Sequence, residues 1–177
     1  MKQYPEAYLD YLIFFHAERD YFECHEVMEA FWKEHPGDER SQTYVALIQI
    51  AVGLYHERRG NQAGAVKMIQ SAARNMDAQH IGSLGLDAVQ LQVLLAERVS
   101  LIQDSQPAYM EMNLPIADAD LLAWCNQESA ARGLTWQAAS RMDDEALIHK
   151  HTLRDRTEVI QERERQQQIR KEKGGAQ

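Results

Sequence analysis

Cysteine is nearly missing from this chain. Two thiols, Cys24 and Cys125, among 177 residues are too few to staple a secreted scaffold, so both are expected to be free in a reducing compartment. Long apolar runs are lacking too. The run from Leu12 to Phe15 is soon broken by His16 and Glu18, with no small-residue cleavage site after it, and does not read as a signal peptide. The longest uncharged stretch, Ser41 to Tyr55, falls short of the roughly 20 apolar residues that span a bilayer. No membrane role and a cytoplasmic location are expected. Basic charge is in deficit: 19 Lys and Arg stand against 27 Asp and Glu, for a net charge of −8. Such a surface repels phosphate backbones and disfavours nucleic acid as a partner unless a basic patch is segregated.

Strand patterns are scarce, whereas apolar residues recur at helical spacing through the first hundred positions. The expected fold is all-α: a helical bundle of about five core helices with an appended C-terminal helical arm. A first helix starts after Tyr4-Pro5, presents Tyr8, Leu9, Leu12 and Ile13, and ends near Arg19-Asp20. The second runs from Asp20 or Tyr21 to Glu34, before the stop signal His35-Pro36-Gly37-Asp38. The third covers Glu39 to Arg59. Gly60-Asn61 then forms a tight corner, with Gly60 ending the third helix and Asn61 capping the fourth. That fourth helix packs through Ala65, Ile69, Ala72 and Met76, with Gly64 and Ala65 small enough for close approach. After Gly82-Ser83-Leu84-Gly85, a fifth from Asp87 to Gln103 offers Val89, Val93, Ala96 and Ser100 as its face, widened by Leu91, Leu94, Leu95, Val99 and Leu101.

Residues Gln106 to Pro115 are the one place for an extended piece. Asp118 caps a helix through Asn126, Thr135 caps another that begins at Trp136, and one long polar helix follows Asp143. Residues 1–117 read as the bundle domain, 118–153 as appended helices and 154–177 as a charged polar helix with a disordered tail. Residues 154–177 hold seven basic and five acidic residues, so a mildly basic arm follows an acidic body. The run from His149 to Arg156 is either solvated helix or a contact for a partner or RNA phosphate. Trp124, Trp136, Met110 and Met112 read as core or docking residues.

The third helix, from Tyr44 to His56, is apolar nearly all round and should be central. Its strongly polar residues, Gln49 and His56, lie seven apart, about 20° from each other on one stripe. On the second helix Cys24, Val27, Met28, Phe31 and Trp32 form an apolar arc with His25 and Glu29 at its border and Glu26 farther round, beside Phe22. The expected site therefore gathers His25, Glu29, Gln49 and His56, with Glu26 nearby. Three readings stay open. It is a satisfied structural network, a divalent metal centre for zinc, iron or manganese with His25, Glu29 and His56 as ligands, or a general acid–base pair with Glu26 as candidate base. The string His25-Glu26-Val27-Met28-Glu29 departs from the zinc-protease helix motif, which needs His at its fifth position.

The pattern Phe22, His25, Glu26, Glu29 and Trp32, then Gln49 and His56, then Gly60, Asn61, Gly64 and Ala65, resembles the helical family known as domain of unknown function 309, over roughly residues 8–80. The resemblance implies a small cytoplasmic helical bundle and assigns no reaction. The Gly60-Asn61 corner is also similar to a tetratricopeptide hairpin, though no 34-residue repeat accompanies it. The expected role is a binding or adaptor module for a protein or a small polar ligand; the alternative is a metal-dependent hydrolase. A homodimer is left open, because an acidic body and a basic tail can pair.

Overall fold

The computed structural model describes residues 4–105 and 108–153. Among these residues the chain is an all-α bundle, with one isolated antiparallel bridge between Leu86 and Ile116. The helices are α1 (Glu6–Ile13), α2 (Tyr21–Glu34), α3 (Ser41–Arg58), α4 (Gln62–Asn75), α5 (Ala78–Ser83), α6 (Ala88–Ser105), α7 (Ala119–Ala131), α8 (Glu145–Ile148) and α9 (Lys150–Leu153). The expected five core helices correspond to α1 to α4 and α6. α5 is an additional single-turn element, capped by the Asp77 carboxylate on the His80 amide.

Local signals fix most boundaries. The Asp20 side chain accepts from the Glu23 amide at the start of α2, Asn61 from Gly64 at the start of α4, and Asp118 from Leu121 at the start of α7. Gly60 takes φ +76° at the α3–α4 corner, the left-handed conformation that ends a helix cheaply only with glycine. α3 lies at the centre, with Leu47, Ile50, Ala51 and Leu54 all fully buried, and packs chiefly against α2 and α4. Gly53 permits that closeness: a Cβ there would sit 2.7 Å from Ile69 Cγ1.

Four expectations are corrected. The first helix does not run straight to Arg19: after Ile13 it widens into a π-helical turn over Phe14–Glu18, and Arg19 closes it at φ +56°. α6 buries Leu91, Leu95 and Ile102, whereas the stripe of Val89, Val93, Ala96 and Ser100 faces outward. Apolar residues surround this helix on more than half its circumference, so periodicity left its buried side ambiguous. No helix begins at Trp136. A turn replaces it, with Gln137 at φ +56°, because the Trp136 ring stacks on His16 at 4.4 Å and the Ala138 carbonyl accepts from Arg19 Nε at 2.7 Å. The long polar helix after Asp143 is instead α8 and α9, broken at His149, and α8 buries Leu147 and Ile148. The polar helix and tail expected over 154–177 lie outside the described residues. None of the described helices is long and apolar enough to cross a membrane.

Residues 109–116 run extended across α6, and Met112 and Leu114 join the core that also takes Leu121 and Cys125 of α7. Gly85 is the joint. At φ +77° its carbonyl accepts from the amides of Ala117 and Asp118, and a Cβ would lie 2.6 Å from Tyr4 Oη and 3.0 Å from Asp118 Cβ. Gly85→Ala is expected to cost about 1–3 kcal/mol through backbone strain and this clash. Urea denaturation followed by circular dichroism measures it, and an unchanged midpoint would refute the assignment.

Candidate functional site

The structure divides the expected polar residues into two places. His25 stays on α2, where Nδ1–H donates to Glu26 Oε1 at 3.0 Å and Nε2 lies 3.7 Å from Glu29 Oε2. Glu29 in turn pairs with Lys33 at 3.1 Å. All of these side chains are at least partly exposed, so they form a charged stripe along one helix. Trp32, one turn on from Glu29, donates from its indole N–H to Ser41 Oγ at 2.7 Å and closes the α2–α3 corner.

Gln49 and His56 do share a stripe of α3, but that stripe faces α4. Asn75 Nδ2 donates to Gln49 Oε1 at 2.9 Å near the end of α4, and Asn61 Nδ2 donates to His56 Nδ1 at 3.1 Å at its beginning. An imidazole nitrogen that accepts is unprotonated, and burial followed by the Arg59 charge lowers the His56 pKa, consistent with a neutral ring. The two bonds pin both ends of the α3–α4 hairpin. Among the described residues no hydrogen bond or ion pair joins His25 or Glu29 to Gln49 or His56. No group of three or more His, Cys, Asp and Glu side chains among them is placed to share a metal ion. The ligand trio His25, Glu29 and His56 is therefore not assembled, because helical phase fixed the stripe but not the neighbour it faces.

The concentrated buried polarity lies elsewhere, on residues that sequence reading passed over. Arg19 is 1% exposed. Its guanidinium donates to the carbonyls of Ala138 (2.7 Å), Phe15 (3.0 Å) and Met112 (3.1 Å) and to Asn113 Oδ1 (2.7 Å), with Glu111 Oε2 3.5 Å away. Glu111 accepts from the Ser140 amide and from the hydroxyls of Tyr21 and Tyr109. Burial alone would raise the Glu111 pKa, but the Ser140 bonds and the Arg19 charge prevail and hold it below the ordinary value.

Arg58 reaches the Arg19 carbonyl at 2.7 Å and lies over the Tyr21 ring at 4.7 Å. Arg98 pairs with Glu57 at 3.0 Å and donates to the carbonyls of Met110 and Glu111. Burial outweighs Arg98 at Glu57 and raises that carboxyl pKa. Glu57 Oε2 and Arg58 Nε are buried without a hydrogen-bond partner among the described residues.

His16 completes this centre. It is fully buried, with Nδ1–H donating to the Leu12 carbonyl at 3.0 Å and Nε2 accepting from the Leu114 amide at 2.9 Å. Burial, with a smaller push from Arg19, lowers its pKa to about 3. The one available signal was position: His16 lies four residues after buried Leu12, on the same side of the chain.

A cleft of about 620 Å³ opens over this network between α6, the extended segment and α7. Leu94, Leu101 and Met112 give it apolar walls, while Arg98, Glu111 and Asn113 bring the edge of the buried network to its surface.

Two outcomes follow from these contacts. The unfolded chain protonates His16 below about pH 6.5, whereas the folded ring stays neutral to about pH 3, so this contribution is present above pH 6.5 and is lost on acidification. Its slope is about 1.4 kcal/mol per pH unit, or about 2 kcal/mol between pH 6.5 and pH 5. Urea titrations across that range test it together with the His16 imidazole shifts in NMR; a ring that titrates near 6.5 would refute it. In double-mutant cycles, Gln49→Ala with Asn75→Ala should show a coupling of about 0.5–1 kcal/mol, and His25→Ala with His56→Ala a coupling near zero. A large His25–His56 coupling would restore the single-site arrangement.

Residues 8–68 match the family described as domain of unknown function (DUF309). The chain is 45% identical over 170 residues to a protein of Bacillus subtilis (strain 168) described as "Uncharacterized protein YpuF", an alignment covering 95% of this chain and 97% of that relative. No solved structure matches the chain at a significant level. Phe22, His25, Glu26, Glu29, Trp32, Gln49, His56, Gly60, Asn61, Gly64 and Ala65, which carry the resemblance, all fall inside the matched span, and this chain belongs to the DUF309 family.

Proposed function

We propose that the chain is a cytoplasmic binding module, and that its ligand site is the cleft between α6, residues 109–116 and α7. The cleft carries this reading: about 620 Å³ lies within the roughly 300–1,000 Å³ of ordinary small-ligand sites, and apolar walls with a few convergent polar groups are what such sites use. Its polar members are held rigid from behind, Arg98 by Glu57 and two backbone carbonyls, Glu111 by Ser140 and two tyrosines. A preorganised rim loses little side-chain entropy when a ligand arrives. The mixed lining fits a small molecule with an apolar body and an uncharged hydrogen-bonding end, because Arg98 is already neutralised by Glu57 and the other charged lining residues are acidic. In this reading the family's signature polar residues act by position: Gln49 and His56 hold the α3–α4 hairpin, and Trp32 holds the α2–α3 corner. The cytoplasmic assignment is supported by Cys24 and Cys125, two buried free thiols whose pKa values burial raises.

Protein-observed NMR of the amide-labelled chain, titrated with a panel of small aromatic amides and alcohols, tests the site, with Leu94→Trp as the blocked variant. Weak binding is expected in the wild-type chain, with backbone shifts centred on Leu94, Leu101 and Met112, and no binding in the variant at an unchanged melting temperature. Absence of binding, or binding that Leu94→Trp leaves intact, would overturn the assignment.

A further inference from the structure

The outward face of α6 is apolar in a chain whose net charge is −8. Val89 is 76% and Val93 50% exposed, one helical turn apart, with exposed Ala96 and Ser100 continuing the stripe. Beside it, between α4 and α6, run two hollows of about 460 and 540 Å³ that share Ala73 and Gln92 and so form one furrow. The furrow follows α6 from Val89 to Gln103, about 21 Å at 1.5 Å per residue. Arg74 is the one charged residue in its lining. α6 runs back along α4, since Met76 shares the hollow at the start of α6 while Ile69 shares the one that extends to Ser100 and Gln103.

The rims are charged with opposite signs. On the α4 side stand exposed Lys67 and Arg74, seven residues apart, and on the α6 side exposed Glu97 and Asp104, also seven apart. Lys67, Arg74 and Glu97 have no ion-pair partner among the described residues, and Asp104 accepts only from Ser100 Oγ. A separation of seven puts each pair on one side of its helix, two turns apart.

We propose that this furrow is a self-association face, on which two copies of the chain meet about a two-fold axis parallel to α4 and α6. That rotation lays α4 of one copy across α6 of the other. It sets Lys67 and Arg74 against the partner copy's acidic rim and buries Val89 and Val93 at one end of the furrow, with Ala96 at its middle. Rotation about an axis across the helices would instead oppose like charges, so the rims select the first arrangement. Two bodies carrying 12 basic and 22 acidic residues each over 1–153 repel one another on average, and the furrow, with no acidic residue in its lining and rims of opposite sign, is a face that relieves that repulsion. A foreign helix would need apolar residues and both rims in matching register; a second copy carries them by construction.

Sedimentation equilibrium of the full chain, from low micromolar to millimolar concentration, tests the proposal. The wild-type chain should dimerise reversibly, and Val93→Glu, at a half-exposed site that leaves the fold intact by circular dichroism, should be monomeric. Arg74→Glu should weaken the dimer by roughly tenfold or more, and adding Glu97→Arg should restore it, because the swap recreates opposite charges across the interface. A wild-type chain that stays monomeric at millimolar concentration overturns the proposal, as does a dimer indifferent to Val93→Glu. Arg74→Glu that is not rescued by Glu97→Arg overturns the two-fold arrangement.

Discussion

Burying the Arg19 guanidinium is the constraint around which the rest of the chain is arranged. A charge at 1% exposure has lost its hydration, and the penalty is several kcal/mol unless hydrogen bonds replace the lost water. Replacement comes from four residues in three stretches of the chain: Phe15 one turn before it, the adjacent Met112 and Asn113, and Ala138. Three of them lie in segments without regular secondary structure, whose carbonyls have no helical partner of their own. The same demand accounts for the π-helical turn and the left-handed φ of Arg19, which together swing the side chain from the end of α1 into the centre.

Further buried charges keep that arrangement in place. Arg58 caps the Arg19 carbonyl, Arg98 holds the carbonyls of Met110 and Glu111, and the Glu111 carboxylate faces back toward Arg19. Three arginines and two glutamates thus join the N-terminal helices to an extended segment about ninety residues later. Such a network confers one register on the extended segment, because any slip leaves a charge unpaired. The cleft inherits its rigidity from this arrangement, since Arg98 and Glu111 belong to both.

The helices were legible because each boundary is a local event. Asp20, Asn61 and Asp118 cap by reaching three residues along the chain, and Gly60 turns by its own φ, so no tertiary information is needed. The spacing of Gln49 and His56 puts them on one stripe of α3, and their partners Asn75 and Asn61 lie at the ends of α4, not on α2; a helical wheel carries no information about which neighbour is in front of it. The outward stripe of α6 fails for the same reason, being apolar enough to pass for a core face. His16, Arg19, Glu57 and Arg58 were not legible as a buried centre, since charged and polar residues at helix ends default to a solvated reading. Their partners, Glu111 and Ser140, lie about thirty to more than ninety residues away from one another or from Arg19 along the chain, beyond any local pattern.

The imidazole of His16, suspended between the Leu12 carbonyl and the Leu114 amide, has a consequence for how the molecule comes into being. As the chain leaves the ribosome, the α3–α4 hairpin can close on itself, but one end of the His16 bridge does not yet exist. Arg19 waits still longer, until Ala138 has been synthesised. The buried seats of His16 and Arg19 therefore depend on segments made some ninety to a hundred and twenty residues after them, and until those segments arrive the imidazole and the guanidinium have water as their partner.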